Sequence, residues 1–287
     1  MASGKVETKA DGGKALASKA GVAILANDAI HDWLIAFLDS FRHHNPELAL
    51  YVLPYDNRTA RVQALAARYD FTFVDADFVA LDRFAKRLYP FHPGKRRRVR
   101  KFGALDLDLE TVIYVDVDTV VLHDFAPLMR LLEPRSCELV YASRSPGYVF
   151  KPAYREVPQL KDATEFSDGF FVTSPRFVTT SLLMETVNTN LATFRAVRQD
   201  RVFTQPVLNF TLAMAGVPAR AVSQITPDLS DETYYKGEGI TREGEHFLDA
   251  QGRRMLLMHW AGPAKLKDDD RFADLWQRHR AAHDAGG

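Results

Sequence analysis

The chain has 287 residues and balanced charge, with 37 Lys and Arg against 37 Asp and Glu. This balance, together with 46% hydrophobic residues, is typical of a globular protein and gives no general electrostatic reason to expect binding to nucleic acid or to a membrane surface. The only cysteine, Cys137, excludes an internal disulfide and a thiolate metal cluster. We therefore expect a protein of a reducing compartment, the cytoplasm.

The chain contains no apolar run of the roughly 20 residues that a membrane-spanning helix needs, so the sequence predicts no integral membrane segment. Residues 1–20 mix Ala, Gly, Ser and Lys without the apolar centre of a secretory signal, and we expect them to form a disordered tail. A single domain is expected over residues 21–276, followed by a C-terminal tail at 277–287.

Strand and helix patterns alternate from residue 21 onward. Short apolar runs predict strands at 21–25, 48–53, 71–74, 111–115, 139–142, 170–173 and 255–258. Helical spacing of apolar residues predicts helices near 33–44, 57–69, 79–88, 176–193 and 205–215. This alternation predicts an α/β fold with a mostly parallel sheet flanked by helices, whose ligands bind beyond the carboxyl ends of the strands. Two irregular stretches, 143–168 and 226–252, are predicted to be loops that cover a cleft on that side.

Two aspartates follow the apolar strand at 111–115. Asp116 and Asp118 concentrate negative charge at the end of a buried strand, and carboxylate oxygens are preferred ligands of Mg²⁺ and Mn²⁺. The pair predicts a metal–diphosphate site. The alternative is an ordinary turn, because acidic residues are common at strand ends.

A second motif follows the strand at 255–258. His259 offers an imidazole for a metal, Gly262 permits close backbone approach, and Lys265 supplies a positive charge for phosphate. The alternative is a histidine and a tryptophan packed under a turn, with Lys265 in a solvated run.

Taken together, Ile113 to Val121 and the His-x-x-Gly-x-x-Lys of residues 259–265 resemble the GT-A glycosyltransferases, specifically family GT8, the glycogenin-like and lipopolysaccharide galactosyltransferase-like group. This resemblance implies a Rossmann-like GT-A fold with a nucleotide-sugar half at about 21–125 and a loop-rich acceptor half at about 126–276. It further implies that Asp116, Asp118 and His259 bind Mn²⁺ or Mg²⁺, with Val117 between the two acids. Lys265 and Gly262 would contact the diphosphate of the donor, with a UDP-sugar favoured. The family has Pro-Trp after this lysine, whereas this chain has Leu266 and Lys267.

Other positions match the family more loosely. Ala26 and Asn27 end the first strand where the family binds nucleoside, and Asp56 follows the second strand. Asp168 lies in a segment that resembles the one beside the donor sugar and is the candidate base or sugar-orienting group. Gln205 matches a residue near the reacting face, but Thr204 replaces the acid that precedes it in the family.

The run from Lys95 to Lys101 contains the densest positive charge in the sequence. The family places a basic residue here that reaches the diphosphate, which favours Lys101 and then Arg98, three residues apart on one helical face. The remaining cations are expected to form a solvated face, or to recognise a phosphorylated or carboxylated acceptor.

The resulting prediction is a metal-dependent glycosyltransferase that moves a sugar from a nucleotide-diphosphate donor to a hydroxyl of a glycan, glycoside or small molecule, with retention. A haloacid-dehalogenase-type phosphatase is the alternative, because residues 116–120 also fit its nucleophile motif. Asp116 would then be the nucleophile and the acids at 268–270 would bind Mg²⁺.

Overall fold

The computed structural model describes residues 20–130, 138–262, 266–267 and 270–285. The strands are β1 (Ala20–Ala26), β2 (Leu50–Pro54), β3 (Thr72–Phe73), β4 (Thr111–Val115), β5 (Thr119–Val121), β6 (Leu139–Tyr141), β7 (Phe170–Thr173), β8 (Ala219–Ala221), β9 (Thr241–Glu243), β10 (His246–Leu248) and β11 (Leu257–His259). The α-helices are α1 (His31–His44), α2 (Ala60–Ala64), α3 (Ala66–Tyr69), α4 (Val79–Leu88), α5 (Pro93–Arg96), α6 (Thr180–Thr189), α7 (Leu191–Val197), α8 (Gln205–Ala215) and α9 (Ala273–Ala285). A 3₁₀ helix, Arg97–Asp106, joins α5 to the approach to β4.

Seven strands form the central sheet in the order β3-β2-β1-β4-β7-β6-β8. Strands β3, β2, β1 and β4 are mutually parallel, whereas β7 runs antiparallel to both of its neighbours, β4 and β6. The predicted α/β fold with a mostly parallel, helix-flanked sheet is confirmed. Because β1, β2 and β4 point the same way, the residues that follow them lie at one edge of the sheet.

Alternate residues of the strands build two separate cores, one on each face of the sheet. Val22, Ile24 and Ile113 pack with α1 on one face, while Ala23 and Tyr114 pack with α4, the 3₁₀ helix and α8 on the other. A parallel sheet covered on both faces requires near-continuous apolar strands, which is why these segments are recognisable in the sequence.

A small two-stranded sheet lies beside the central one. Strand β11 pairs antiparallel with β5 and places His259 opposite Thr119. The predicted strand at 255–258 is therefore shifted, since β11 includes His259. The irregular stretch 226–252 contains a hairpin formed by β9 and β10.

The C-terminal boundary expected at residue 276 is wrong, because α9 continues to Ala285 and packs against α1. Polar contacts hold its second half: His279 Nδ1 lies 2.7 Å from Asp39 Oδ2, and Arg280 Nε lies 3.1 Å from Asp32 Oδ1. Because polar side chains make these contacts, the second half of α9 has little apolar periodicity from which a helix could be predicted. Among the described helices, none has the length and apolarity needed to cross a membrane.

Candidate active site

Three side chains suited to a divalent cation converge beyond the end of β4. Asp116 directly follows β4, Asp118 directly precedes β5, and the β5–β11 pairing brings His259 beside them. One ligand atom from each residue lies within 4.8 Å of the other two, and His259 Nε2 is 3.0 Å from Asp118 Oδ1. The structure thus brings together residues that lie as much as 143 positions apart in the sequence, Asp116 and His259.

Asp116 is held by two donors from the protein. Lys101 Nζ lies 3.0 Å from Asp116 Oδ1, and the Tyr114 hydroxyl donates to the same oxygen at 2.9 Å. Burial raises the pKa of Asp116, but the positive charge of Lys101 and the nearby His259 outweigh burial and hold it below its ordinary value. Asp116 is therefore ionised and oriented, as a metal ligand must be.

Lys101 also binds Asp168. The side chain of Lys101 is only 5% exposed, and its ammonium lies 3.3 Å from Asp168 Oδ2 and 3.2 Å from the Asp168 carbonyl oxygen. Burial is the main cause that raises the pKa of Asp168, opposed by Lys101 and reinforced by the charge of Asp116. The Thr204 hydroxyl bonds to the same carboxyl group. Lys101 thus links the two acids of the site.

The ionisation of His259 and Tyr114 follows from the same acids. Burial lowers the pKa of His259, but the charge of Asp118 and the hydrogen bond to it raise the pKa above the ordinary value. Burial, followed by the charge of Asp116, raises the pKa of Tyr114 well above its usual range. Tyr114 therefore stays protonated and acts only as a hydrogen-bond donor to Asp116.

Gly169 closes one side of the cluster. Its carbonyl oxygen accepts a hydrogen bond from the Asp116 N–H at 2.8 Å. A Cβ at this position would lie 2.8 Å from His259 Cε1 and 3.1 Å from Asp116 Oδ2. Only glycine fits here without displacing a candidate ligand.

The residues predicted to bind nucleoside lie one and two strands away from Asp116. Asn27 hydrogen-bonds to Asp56, which brings the ends of β1 and β2 together as expected. Burial raises the pKa of Asp56, but hydrogen bonds from Arg58 outweigh it and hold the pKa below the ordinary value. Ala26 is fully buried and its carbonyl oxygen accepts the Tyr55 N–H, so its own contribution is the shape of the strand end.

Gln205 begins α8 beside the Asp168 segment. The Asn209 amide fastens the two together: Nδ2 donates to the carbonyl oxygens of Phe166 and Gln205, and Oδ1 accepts the Phe166 N–H. Asn209 therefore sets the position of the first turn of α8 relative to Asp168.

The remaining predicted positions are distributed as follows. Val117 is 8% exposed and belongs to the apolar core on the α1 face. Gly262 has φ of +112°, a conformation that L side chains rarely adopt. Lys265 lies outside the described residues. Arg98 is exposed, and no contact joins it to Asp116, Asp118 or His259 in the described part of the chain.

Sequence reasoning missed Tyr114, Gly169 and Thr204. Tyr114 carried a signal, since residues two apart on a strand share a face and Tyr114 lies two before Asp116. Gly169 at the start of a strand is a sign of close backbone approach. Thr204 was noted only as the replacement of an acid of the family, because its contact with Asp168 depends on how α8 docks.

Known glycosyltransferases share this fold. The galactosyltransferase LgtC, crystallised with donor and acceptor sugar analogues, is 16% identical, with 91% of this chain and 95% of LgtC covered at a TM-score of 0.61. The bifunctional glycosyltransferase WbbM is 15% identical, with 94% of this chain and 50% of WbbM covered at a TM-score of 0.56. The glycosyltransferase GlyE of Streptococcus pneumoniae TIGR4 is 12% identical, with 92% of this chain and 60% of GlyE covered at a TM-score of 0.52. No curated protein sequence matches this chain.

A family model decides the classification. The model described as glycosyl transferase family 8 matches residues 98–266, more than half of the chain, a range that contains the Asp116–Asp118–His259 cluster, Asp168 and Gln205. The phosphatase alternative has no support, because neither the family match nor the fold neighbours point to it. The chain is a glycosyltransferase that belongs to glycosyl transferase family 8.

Proposed function

We propose that this glycosyltransferase is metal-dependent and moves a hexose from a nucleoside-diphosphate sugar, with UDP as the favoured nucleotide, to an acceptor hydroxyl with retention of anomeric configuration. The observation that carries the proposal is the convergence of Asp116, Asp118 and His259 ligand atoms within 4.8 Å of one another. The cytoplasmic location remains a prediction from the sequence.

The donor set fits a divalent first-row cation. Two carboxylates and one imidazole suit Mn²⁺, and Mg²⁺ to a lesser degree because Mg²⁺ prefers oxygen ligands only. Lys101 and Tyr114 supply the outer hydrogen bonds that orient a metal-binding carboxylate. When bound, the cation supplies positive charge to the diphosphate leaving group.

Protein groups then divide the work of donor binding. Asn27 and Asp56, at the ends of β1 and β2, lie where a nucleoside extending from the Asp116 cluster across the sheet edge would reach. Gly262 and Lys265 are proposed to contact the diphosphate. Lys101 is a positioning residue, because its ammonium is already bound to Asp116 and Asp168.

The burial of Asp168 and its contacts with Lys101 and Thr204 support retention. An inverting enzyme needs an accessible carboxylate base to deprotonate the acceptor hydroxyl. Asp168 is 4% exposed and its carboxyl group is bound by Lys101 and Thr204, which suits a group that orients the sugar. Gln205, fixed by Asn209, is proposed to face the reacting sugar.

Thermal denaturation in the presence of ligands tests the proposal. Mn²⁺ with UDP should raise the melting temperature, and GDP or UDP without metal should raise it less; a ligand at 100 times its Kd contributes about 2.7 kcal/mol. Asp118→Asn should abolish the Mn²⁺-dependent increase, while Asp162→Asn, which changes an 87% exposed carboxylate, should keep it. Equal stabilisation of wild type and Asp118→Asn would refute the metal assignment.

A further inference from the structure

The basic segment before β4 is sorted into three faces by its helix type. In a 3₁₀ helix, side chains three residues apart eclipse one another, and Arg97–Asp106 is such a helix. Arg97 and Arg100 share one face, and Val99 and Phe102 share another that is buried in the core. Arg98 and Lys101 share the third face. Lys95, in the α-helix α5, precedes Arg98 by three residues, a spacing that places the two side chains as neighbours.

The two arginines of the Arg97–Arg100 face are paired with carboxylates, and this face contacts the end of β2. Arg97 pairs with Asp56 at 3.5 Å, and Arg100 forms two hydrogen bonds to Asp82, at 2.6 and 2.9 Å. Arg100 also donates to the carbonyl oxygen of Pro54 at the end of β2. This face therefore supports the side of the site where the nucleoside is proposed to lie.

The contacts of the Lys95–Arg98–Lys101 face are with the segments of Asp168 and Phe203. Its inner member, Lys101, reaches Asp168. Its outer member, Lys95, holds its ammonium 4.9 Å from the centre of the Phe203 ring, and Phe203 precedes Thr204, whose hydroxyl bonds to Asp168. Lys101 thus contacts Asp168 itself, and Lys95 contacts the residue next to Thr204.

Two cations on this face have no carboxylate partner. Lys95 and Arg98 are both exposed, and neither forms an ion pair within the described residues, whereas Arg97, Arg100 and Lys101 all do. Arg98 lies one turn, about 6 Å along the helix axis, outside Lys101. Exposed cations without a carboxylate partner attract an oxyanion, and arginine binds carboxylate or phosphate in a bidentate manner.

We propose that Lys95 and Arg98 bind an oxyanion group, a phosphate or a carboxylate, carried by the acceptor. The inference rests on the proposed function and adds the class of acceptor: an anionic sugar or glycan rather than a neutral one.

Binding of three small sugars to protein loaded with Mn²⁺ and UDP tests the inference. The probes are glucose 6-phosphate, methyl glucuronide and methyl glucoside, compared by calorimetric titration. One of the two anionic probes should bind at least about tenfold tighter than the neutral glucoside, and the better of the two identifies phosphate or carboxylate as the group recognised. Equal affinity of all three probes, or no binding by any, would overturn the inference.

A double variant locates the preference. Lys95→Gln/Arg98→Gln should reduce the anionic preference by roughly tenfold, the scale of two exposed ion pairs. Arg83→Gln/Lys86→Gln removes the same charges at the same spacing from the exposed side of α4 and should keep the preference. A preference that persists in the first variant overturns the inference.

The donor readout separates this inference from the proposed function. If Lys95→Gln/Arg98→Gln weakens UDP binding in Mn²⁺ instead, these cations serve the donor and the acceptor assignment is wrong. If wild type shows no Mn²⁺-dependent UDP binding while the anionic preference is present in protein without nucleotide, the proposed donor chemistry fails and the oxyanion site stands.

Discussion

Replacing Lys101 by methionine removes the cation that links Asp116 and Asp168. The ammonium lies 3.0 Å from Asp116 Oδ1 and 3.3 Å from Asp168 Oδ2, and its side chain is 5% exposed. At an effective dielectric constant of about 20, each contact corresponds to about 5 kcal/mol of Coulomb attraction, most of which offsets the cost of burying three charges. Methionine keeps the apolar stem but leaves two carboxylates uncompensated.

The expected loss for Lys101→Met is about 3–5 kcal/mol in the free energy of unfolding, the range for breaking one partner out of a buried ionic cluster. For a chain of this size that corresponds to a decrease of about 5–8 °C in melting temperature. Urea denaturation followed by circular dichroism measures the loss. Lys86→Met, which changes an exposed lysine of α4, should change stability by less than about 0.5 kcal/mol.

The stability that Lys101→Met loses should also depend on pH. Without Lys101 the pKa values of Asp116 and Asp168 rise in the folded protein, so the folded state binds more protons than the unfolded state and stability decreases as pH rises. The loss should therefore be larger at pH 8 than at pH 5. Lys101→Met/Asp168→Asn removes one of the two uncompensated charges and should be more stable than Lys101→Met at pH 8. A loss below about 1 kcal/mol at pH 8, or a double variant no more stable than the single one, would show that Lys101 does not bind these acids together.

Two further predictions concern single positions. Gly169→Ala places a Cβ 2.8 Å from His259 Cε1 and should weaken Mn²⁺ binding, measured by calorimetry, at least about tenfold. Gly94→Ala, which has open space around its Cβ, should leave Mn²⁺ binding unchanged. Unchanged affinity in Gly169→Ala would contradict the close contact. Burial lowers the pKa of His44 to about 4 from an ordinary value of 6.5. The contribution of neutral His44 to the free energy of unfolding is therefore fully present above pH 6.5 and is lost as pH falls toward 4. Between pH 7 and pH 5, the free energy of unfolding measured in urea should therefore fall by about 1 kcal/mol less for His44→Gln than for wild type, after allowance for partial exposure. The exposed control His246→Gln should behave as wild type. Identical pH profiles for His44→Gln and wild type would exclude this role of His44.

The parts of the fold that the sequence predicts well are those with one dominant physical cause. Strand β4 followed by Asp116 was predictable because a buried parallel strand must be apolar and a turn at its end must be polar. Helix α4 was predicted with the bounds that the structure shows, because its apolar residues repeat with a helical period. No helix was predicted where α9 lies, because its second half is held by hydrogen bonds to Asp39 and Asp32 and not by a repeating set of apolar residues.

The candidate site divides in the same way. Asp116 and Asp118 could be read from their own neighbourhood, whereas His259 could be joined to them only through resemblance to a family, since a strand pairing between β5 and β11 has no local signal. The resemblance also favoured Lys101 within the basic run. The separate duties of its neighbours, Arg97 on Asp56 and Arg100 on Asp82, depend on the 3₁₀ conformation, which charge density alone does not indicate.

Because side chains repeat every three residues in the 3₁₀ helix Arg97–Asp106, a change in its length alters all three of its faces together. Deleting one residue between Arg97 and Lys101 would rotate everything before the deletion by about 120° relative to the rest. Arg97 would then stand where Arg98 stands, and deletion of Val99 or Arg100 would also move Arg98 into the space now filled by Val99. Point substitutions can alter one face at a time, but insertions and deletions change all three at once. We therefore expect homologous chains to keep the number of residues from positions 95 and 98 to Lys101 constant, and to change the residues at 95 and 98 only where the charge of the acceptor changes.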